Sequence, residues 1–174
     1  MRKALEIVNE LREKGIIKDY AIGGGVASIN YTEPVFTRDL DVFVIVKDIG
    51  GVLRFSEIYD YVKSRGGVWK GEYLFVSNTP VQFLPANSGL HKDAVLNAKE
   101  IDYDGLKVKI ISAEHLIAMS FTVGRSKDYE RIDRIMDQYT VDFKVLESVL
   151  KRHNLYDKYE SWKKNRNWER QDNF

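Results

Sequence analysis

The sequence predicts an α/β (α+β) protein: a mixed β-sheet flanked by helices, with a helical C-terminal part. Three observations carry that expectation. Short apolar runs, the clearest being Leu40 to Val46, alternate with amphipathic stretches through residue 111. Glycine-rich and Asp-Gly turns punctuate them. From Ser112 onward the apolar period is helical throughout. The organisation expected is an α/β core over 1–111 and a helical region over 112–174 packed on it, in one compact unit.

The elements follow in order. Leu5, Val8 and Leu11 recur at helical spacing and Gly15 follows them, which predicts a helix over about 2–14. Tyr20-Ala21-Ile22 is a short strand running into Gly23-Gly24-Gly25, and Val26 to Tyr31 reads as a short helix after that turn. Leu40 to Val46 is β-branched and apolar except at Asp41, the pattern of a central strand buried on both faces. Phe55, Ile58, Tyr61 and Val62 give a helix over about 55–65 that stops at Gly66-Gly67. Strands are expected near 72–76 and 80–84, and a hairpin near 100–111 turning at Asp104-Gly105. Ser112 caps a helix running to Gly124, and Ser126 caps one whose face is Ile132, Ile135, Met136 and Tyr139. Two further stripes follow, Phe143, Leu146, Val149, Leu150 and His153, then Leu155, Tyr156, Tyr159 and Trp162. The last three aromatics read as core.

Composition removes several function classes. With 27 Lys plus Arg against 26 Asp plus Glu in 174 residues, the chain as a whole is not a strongly basic nucleic-acid binder. It has no cysteine, which excludes disulfides, thiolate metal sites and a cysteine nucleophile. No run approaches a membrane span and the N-terminus carries charges where a signal peptide needs an apolar core, so a cytoplasmic protein without membrane association is expected. The basic surplus lies in 151–174, where 7 basic residues face 4 acidic ones: Lys151, Arg152, Lys158, Lys163, Lys164, Arg166 and Arg170 interleave with Tyr156, Tyr159, Trp162 and Trp168. That composition is compatible with RNA contact, but a solvated helix end is the reading it favours.

The stretch that carries chemistry is Ile22 to Val46. Asp39 and Asp41 sit two apart at the entry to a strand, so both carboxylates leave one face about 6.6 Å apart along the backbone. Such a pair shares hard cations such as Mg²⁺, whose other partners are substrate phosphates. The glycine turn before them offers bare backbone N–H groups suited to phosphate. Asp41, amid Val42, Phe43, Val44, Ile45 and Val46, is costly as a charge unless a metal or Arg38 pairs with it. His115 and His153 have no neighbouring His, Cys or paired acid at ligand spacing and read as structural, and Ser28 lacks a nucleophile-elbow context.

The pattern Gly24-Gly25-x-Ala27, with Asp39-x-Asp41 leading into an apolar strand, resembles the nucleotidyltransferase superfamily that includes DNA polymerase beta. More closely, the chain resembles the small prokaryotic nucleotidyltransferase-like proteins related to the AbiEii toxins. Their second signature, a helix ending in Gly-Arg followed by Lys-Asp, is similar to Glu114 to Met119 running to Gly124-Arg125-Ser126-Lys127-Asp128. The resemblance implies a nucleotidyltransferase-type sheet and core and a substrate nucleoside triphosphate. It implies Asp39 and Asp41 as catalytic and metal-binding residues for Mg²⁺ or Mn²⁺. It places Gly24, Gly25, Ser28, Thr37, Arg125 and Lys127 in the nucleotide- and phosphate-binding set, with a structural ion pair as the alternative for Arg125 and Lys127. The acceptor hydroxyl then belongs to RNA, a protein or a small molecule.

The sequence departs from that pattern at a position that matters. Active members bring a third carboxylate from a later strand, and here that strand reads Val81-Gln82-Phe83-Leu84. Gln82 is neutral and cannot act as a general base. Glu72 and Asp102 are the acids that could substitute. Ser120 stands where related proteins often carry lysine, and Val35 where many carry arginine. Two readings result: an active metal-dependent nucleotidyltransferase, or a catalytically impaired binding module of the same fold, such as a toxin–antitoxin component with a cognate toxin or antitoxin partner.

Overall fold

The computed structural model describes residues 1–34, 37, 39–71 and 73–166. Helix α1 (Arg2–Glu13) buries Leu5, Val8 and Leu11 as their spacing predicts, together with Ala4 and Ile7. Strand β1 (Ile17–Ile22) starts earlier than its apolar run, since Ile17 already pairs with Val46 of the next long strand, and Asp19 forms an ion pair with Lys109. The turn leads into a five-residue helix, α2 (Gly24–Ser28). Strand β2 (Leu40–Val46) is buried at every residue except Asp41. A two-stranded ribbon, β3 (Asp48–Ile49) with β4 (Val52–Leu53), then precedes α3 (Ser56–Ser64).

Three strands follow, β5 (Gly67–Lys70), β6 (Tyr73–Val76) and β7 (Thr79–Pro85), and then α4 (Gly89–Leu96). The hairpin β8 (Lys99–Tyr103) and β9 (Leu106–Ile110) turns at Asp104-Gly105, both at positive φ, and the Asp102 carboxylate accepts from Gly105 N–H at 2.7 Å. The C-terminal half holds α5 (Ala113–Val123), α6 (Ser126–Gln138), α7 (Phe143–Arg152) and α8 (Tyr156–Asn165). No helix among the described residues is long and apolar enough to cross a membrane.

The seven-stranded sheet has the order β5-β6-β7-β2-β1-β9-β8, so β2 is central as expected. It runs antiparallel to β1 and parallel to β7, and β1 runs parallel to β9, which makes the sheet mixed. Side chains alternate across it. Asp41 and Phe43 face one side, where α4 packs on β1 and β2 and the His91 ring lies 5.0 Å from that of Phe43. Val42 and Phe83, paired in register, face the other, where α3 brings Tyr59 to 6.4 Å from Phe83 and α1 packs on β1 and β9. Helix α5 lies against α2, α4, α6 and α7 and is buried along most of its length. Tyr159 and Trp162 are buried with Phe121, which is the core role expected of that stripe.

Several elements differ from expectation for local reasons. Helix α4 has no clean apolar period, since Ala94 and Val95 are buried while Leu96 is 60% exposed. Strand β5 follows the glycines that read as a stop, and its Val68, Trp69 and Lys70 are all exposed. Ser126 does not cap α6: Arg125 is the cap, and its N–H reaches Asp128 Oδ2 at 3.2 Å. Ser112 does cap α5, accepting from His115 N–H at 3.4 Å.

Candidate active site

The end of β1 and the start of β2 meet where the glycine turn closes. Gly23 N–H donates to the Asp41 carbonyl at 2.9 Å, tying the turn to the strand that carries the acid. Gly24 has φ +57°, and a Cβ there would land on the Asp41 carboxylate. A side chain at this position is therefore excluded twice, by backbone conformation and by the acid that leans over it. Gly25 lacks a Cβ for a different neighbour, since one would come within 2.7 Å of Thr37 Oγ1. Asp39 is exposed and Asp41 half-buried, two residues apart and on one face of the chain. Burial raises the Asp41 carboxyl above its ordinary value and the Asp39 charge adds to the rise. Arg131, Lys127 and Arg125 oppose it.

Those cations come from the α5–α6 corner. Gly124 ends α5 in the left-handed conformation at φ +70°, and Arg125 opens α6. Asp128, 1% exposed, organises the corner: it takes Arg125 Nε at 2.8 Å and Arg131 Nη1 at 3.3 Å. Burial alone would raise Asp128, and the hydrogen bonds and charge of Arg125, with the charge of Arg131, more than reverse that and leave it below its ordinary value. Arg131 also reaches Ser120 Oγ at 3.5 Å. Arg125 makes the structural ion pair with Asp128, and 59% of its side chain stays exposed on the cleft.

The result is a cleft of about 390 Å³ that gathers Gly24, Asp39, Asp41, Gln82, Arg125, Lys127 and Arg131. Gln82 is the register partner of Asp41 across the parallel β2–β7 pair, so its amide stands on the same face beside the carboxylate. Asp102 does not substitute for a third acid. It lies on β8, three strands from β2, at about 4.8 Å per strand, and its carboxylate closes the β8–β9 turn. Glu72, Arg38, Val35, Trp168 and Arg170 lie outside the described residues. Gly25, Ser28 and Thr37 are not among the residues lining the cleft. Ser28 is buried and its hydroxyl donates to the Gly24 carbonyl at 2.9 Å, while Thr37 packs on Gly25 and lines a separate apolar pocket with Val26 and Ile29.

Two ionisable cleft residues were not singled out from the sequence, Arg131 and His91. Arg131 follows the Gly-Arg signature by one helical turn beyond Asp128, which is the only signal that could have found it. His91 lies on the helix that had no periodic signal. His115, as expected, is structural: Nδ1 meets Ser112 Oγ at 2.9 Å, and Nε2 is buried without a hydrogen bond, 3.7 Å from Asp93 Oδ2.

No group of three His, Cys, Asp or Glu side chains among the described residues is arranged to hold a metal. The Asp39–Asp41 pair fits a cation that needs only one or two carboxylates and completes its shell from substrate phosphate and water, as Mg²⁺ does. Asp41, raised by burial and further by the charge of Asp39, is the donor that such a cation would relieve.

No family model and no curated protein sequence matches the chain. Solved structures do. The antibiotic-resistance factor ANT(2'')-Ia in solution aligns over 97% of this chain and 98% of its own, at 15% identity and a TM-score of 0.53. A crystal structure of ANT(2")-Ia in complex with adenylyl-2"-tobramycin aligns over 90% of this chain and 97% of its own, at 16% identity and a TM-score of 0.54. An antigenic nucleotidyltransferase-like protein from Paracoccidioides brasiliensis aligns over 90% and 86%, at 19% identity and a TM-score of 0.55. At these identities the likeness concerns the fold, and the chain has the mixed sheet flanked by helices of the nucleotidyltransferase fold.

Proposed function

We propose that this chain transfers a nucleoside monophosphate from a nucleoside triphosphate to a hydroxyl acceptor on RNA, a protein or a small molecule. The observation that carries the reading is the convergence, in one cleft, of Asp39 and Asp41 with the Gly24 turn and the cations Arg125, Lys127 and Arg131. Asp39 and Asp41 hold Mg²⁺ or Mn²⁺, which when bound supplies positive charge to the attacking and leaving oxygens. Arg125, Lys127 and Arg131 attract the triphosphate and orient it, with Asp128 fixing the two arginines. The acceptor oxygen bonds to the α-phosphorus as the bond to pyrophosphate breaks. Gln82 cannot take the acceptor proton, which passes to solvent water in the open cleft.

The test incubates the protein with each α-labelled nucleoside triphosphate, Mg²⁺ or Mn²⁺, and RNA, protein and aminoglycoside acceptors. Asp39→Asn and Asp41→Asn are expected to lose label transfer by at least about 10²-fold, the scale of losing a charge-stabilising group at the reacting centre. Transfer that survives both substitutions removes the acids from the mechanism.

A second reading rests on Gln82. With a neutral amide in register with Asp41, the same cleft binds a nucleotide without turning it over. The closeness to AbiEii-type proteins, and a cognate toxin or antitoxin as partner, belong to this reading. Nucleotide binding by calorimetry with no transfer to any acceptor would favour it.

A further inference from the structure

The face of the sheet that carries Asp41 does not end at the cleft. Register continues it outward: Asp41 pairs with Gln82, and Leu74 pairs with Val81 on the opposite, buried face. Alternation therefore puts Tyr73 and Phe75 on the same face as Gln82, and the β5–β6 register adds Lys70 beside Tyr73 and Val68 beside Phe75. Helix α4 packs on this face over β1 and β2. Beyond it Val68 is 55% exposed and Tyr73 53%, and Lys70 and Gln82 are exposed as well. Lys70 Nζ sits 5.1 Å from the centre of the Phe75 ring and has no acidic partner among the described residues. From Asp41 to Lys70 this bare strip crosses three strand spacings, about 14 Å.

We propose that this strip is a docking track for a single-stranded polynucleotide, whose terminal hydroxyl reaches the Asp39–Asp41 pair. The exposed Tyr73 ring offers a face to an unpaired base, the half-buried Phe75 ring supports it, and Lys70 at the outer end meets a phosphate. The strip is continuous with the cleft through Gln82, which lines the cleft and pairs with Asp41. In-line displacement needs the attacker opposite the leaving group. The cations that draw pyrophosphate come from α6, and the strip leads away along β7, β6 and β5. Aromatic rings beside a lysine with no acidic partner among the described residues match an anionic, base-bearing acceptor and mismatch a polycationic one. The role of the strand's end as acceptor rests on the nucleotidyltransferase reading. Docking itself does not.

The experiment measures fluorescence anisotropy of labelled single-stranded RNA and DNA decamers, with a duplex as control, on the full chain. Mg²⁺-ATP binding is followed separately by calorimetry. The wild type is expected to bind one or both single strands more tightly than the duplex. Tyr73→Ala is expected to weaken that binding about tenfold. Lys70→Gln is expected to reduce the slope of log K against log salt by about 0.7. Both positions are exposed, and unchanged ATP binding by the variants checks that they fold. A wild type that binds ATP but neither decamer overturns the track and leaves the transfer reading standing, as a protein partner on this face would. Decamer binding that both substitutions leave unchanged also overturns it. Decamer binding that needs Tyr73 and Lys70, in a protein that does not bind ATP, supports the track and removes the nucleotide reading instead.

Discussion

At Gly24 a methyl group meets two obstacles, a backbone at φ +57° and the carboxylate of Asp41. The left-handed backbone alone costs about 1–2 kcal/mol for an L-residue, so Gly24→Ala is expected to lower Tm by about 2–8 °C for a chain of this size. It also displaces Asp41 and so should remove Mg²⁺-dependent nucleotide binding. Gly25→Ala meets the Thr37 side chain instead and leaves Asp41 in place, so binding by the Gly25 variant alone is the outcome that separates the two glycines. Gln82 poses the complementary question. Gln82→Glu puts a carboxylate beside Asp41 and is expected to raise label transfer about 10²-fold, the lower range for a general base. A rate unchanged between pH 6 and 9 would show that proton removal does not limit turnover. At this scale the acids and Gly24 were legible, because a two-residue spacing in a strand and a glycine turn are local patterns. Arg131 was not, because its i,i+3 spacing from Asp128 marks only an ion pair, and its place on the cleft depends on how α6 lies against β2.

Between elements, buried charge does the joining. Asp128 ties the α5–α6 corner, and its folded value lies below the ordinary carboxylate value. Its contribution is therefore complete above about pH 4 and is lost as pH falls through the depressed folded value. Asp128→Ala is expected to cost about 2 kcal/mol at pH 7, a fall of about 4–8 °C in Tm, with the two proteins converging as pH falls below the depressed folded value. A constant difference across that range would mean packing, not charge, is what Asp128 supplies. A second joint links α4, α5 and α7, where Asp93 accepts from Arg152 Nη1 at 2.7 Å, lies 2.9 Å from His153 Nε2, and faces His115. Burial lowers the His115 imidazole below its ordinary value, against the opposing pull of Asp93 and Glu114. The unfolded chain thus binds a proton first, and stability falls as pH drops from about 6.5 toward the folded value. His115→Gln should flatten that part of the Tm–pH curve, and an unaltered slope would assign it to another group. Of these joints the sequence shows the helices but not their partners: Asp93 sits on α4, whose single buried pair Ala94-Val95 leaves no period to read.

Over the whole molecule, the near-balance of 27 basic and 26 acidic residues conceals where charge is free. The central strand and the helical C-terminal half were legible from apolar pattern, whereas the sheet order that builds a bare aromatic strip on β5–β7 depends on pairing between distant segments. The C-terminal basic surplus resolves differently from its composition. Lys158 Nζ donates to the Phe121 carbonyl at 3.2 Å, Lys163 pairs with Glu160 at 2.6 Å, and Arg166 pairs with Asp133 at 2.6 Å. The rings between them are buried rather than offered to bases, Tyr159 at 2% exposure and Trp162 at 3%. These cations act in the fold, as a solvated helix end does. The triple variant Lys158→Gln, Lys163→Gln, Arg166→Gln should therefore lower Tm by up to about 12 °C, since exposed pairs contribute about 0–1 kcal/mol each and 1 kcal/mol shifts Tm by about 2–4 °C at this size. Its retention on an immobilised single-stranded decamer should stay within about twofold of wild type. The double variant Lys70→Gln, Tyr73→Ala should do the reverse, keeping Tm and losing retention. If the triple variant elutes early and the double variant does not, polynucleotide contact belongs to α8 rather than to the sheet.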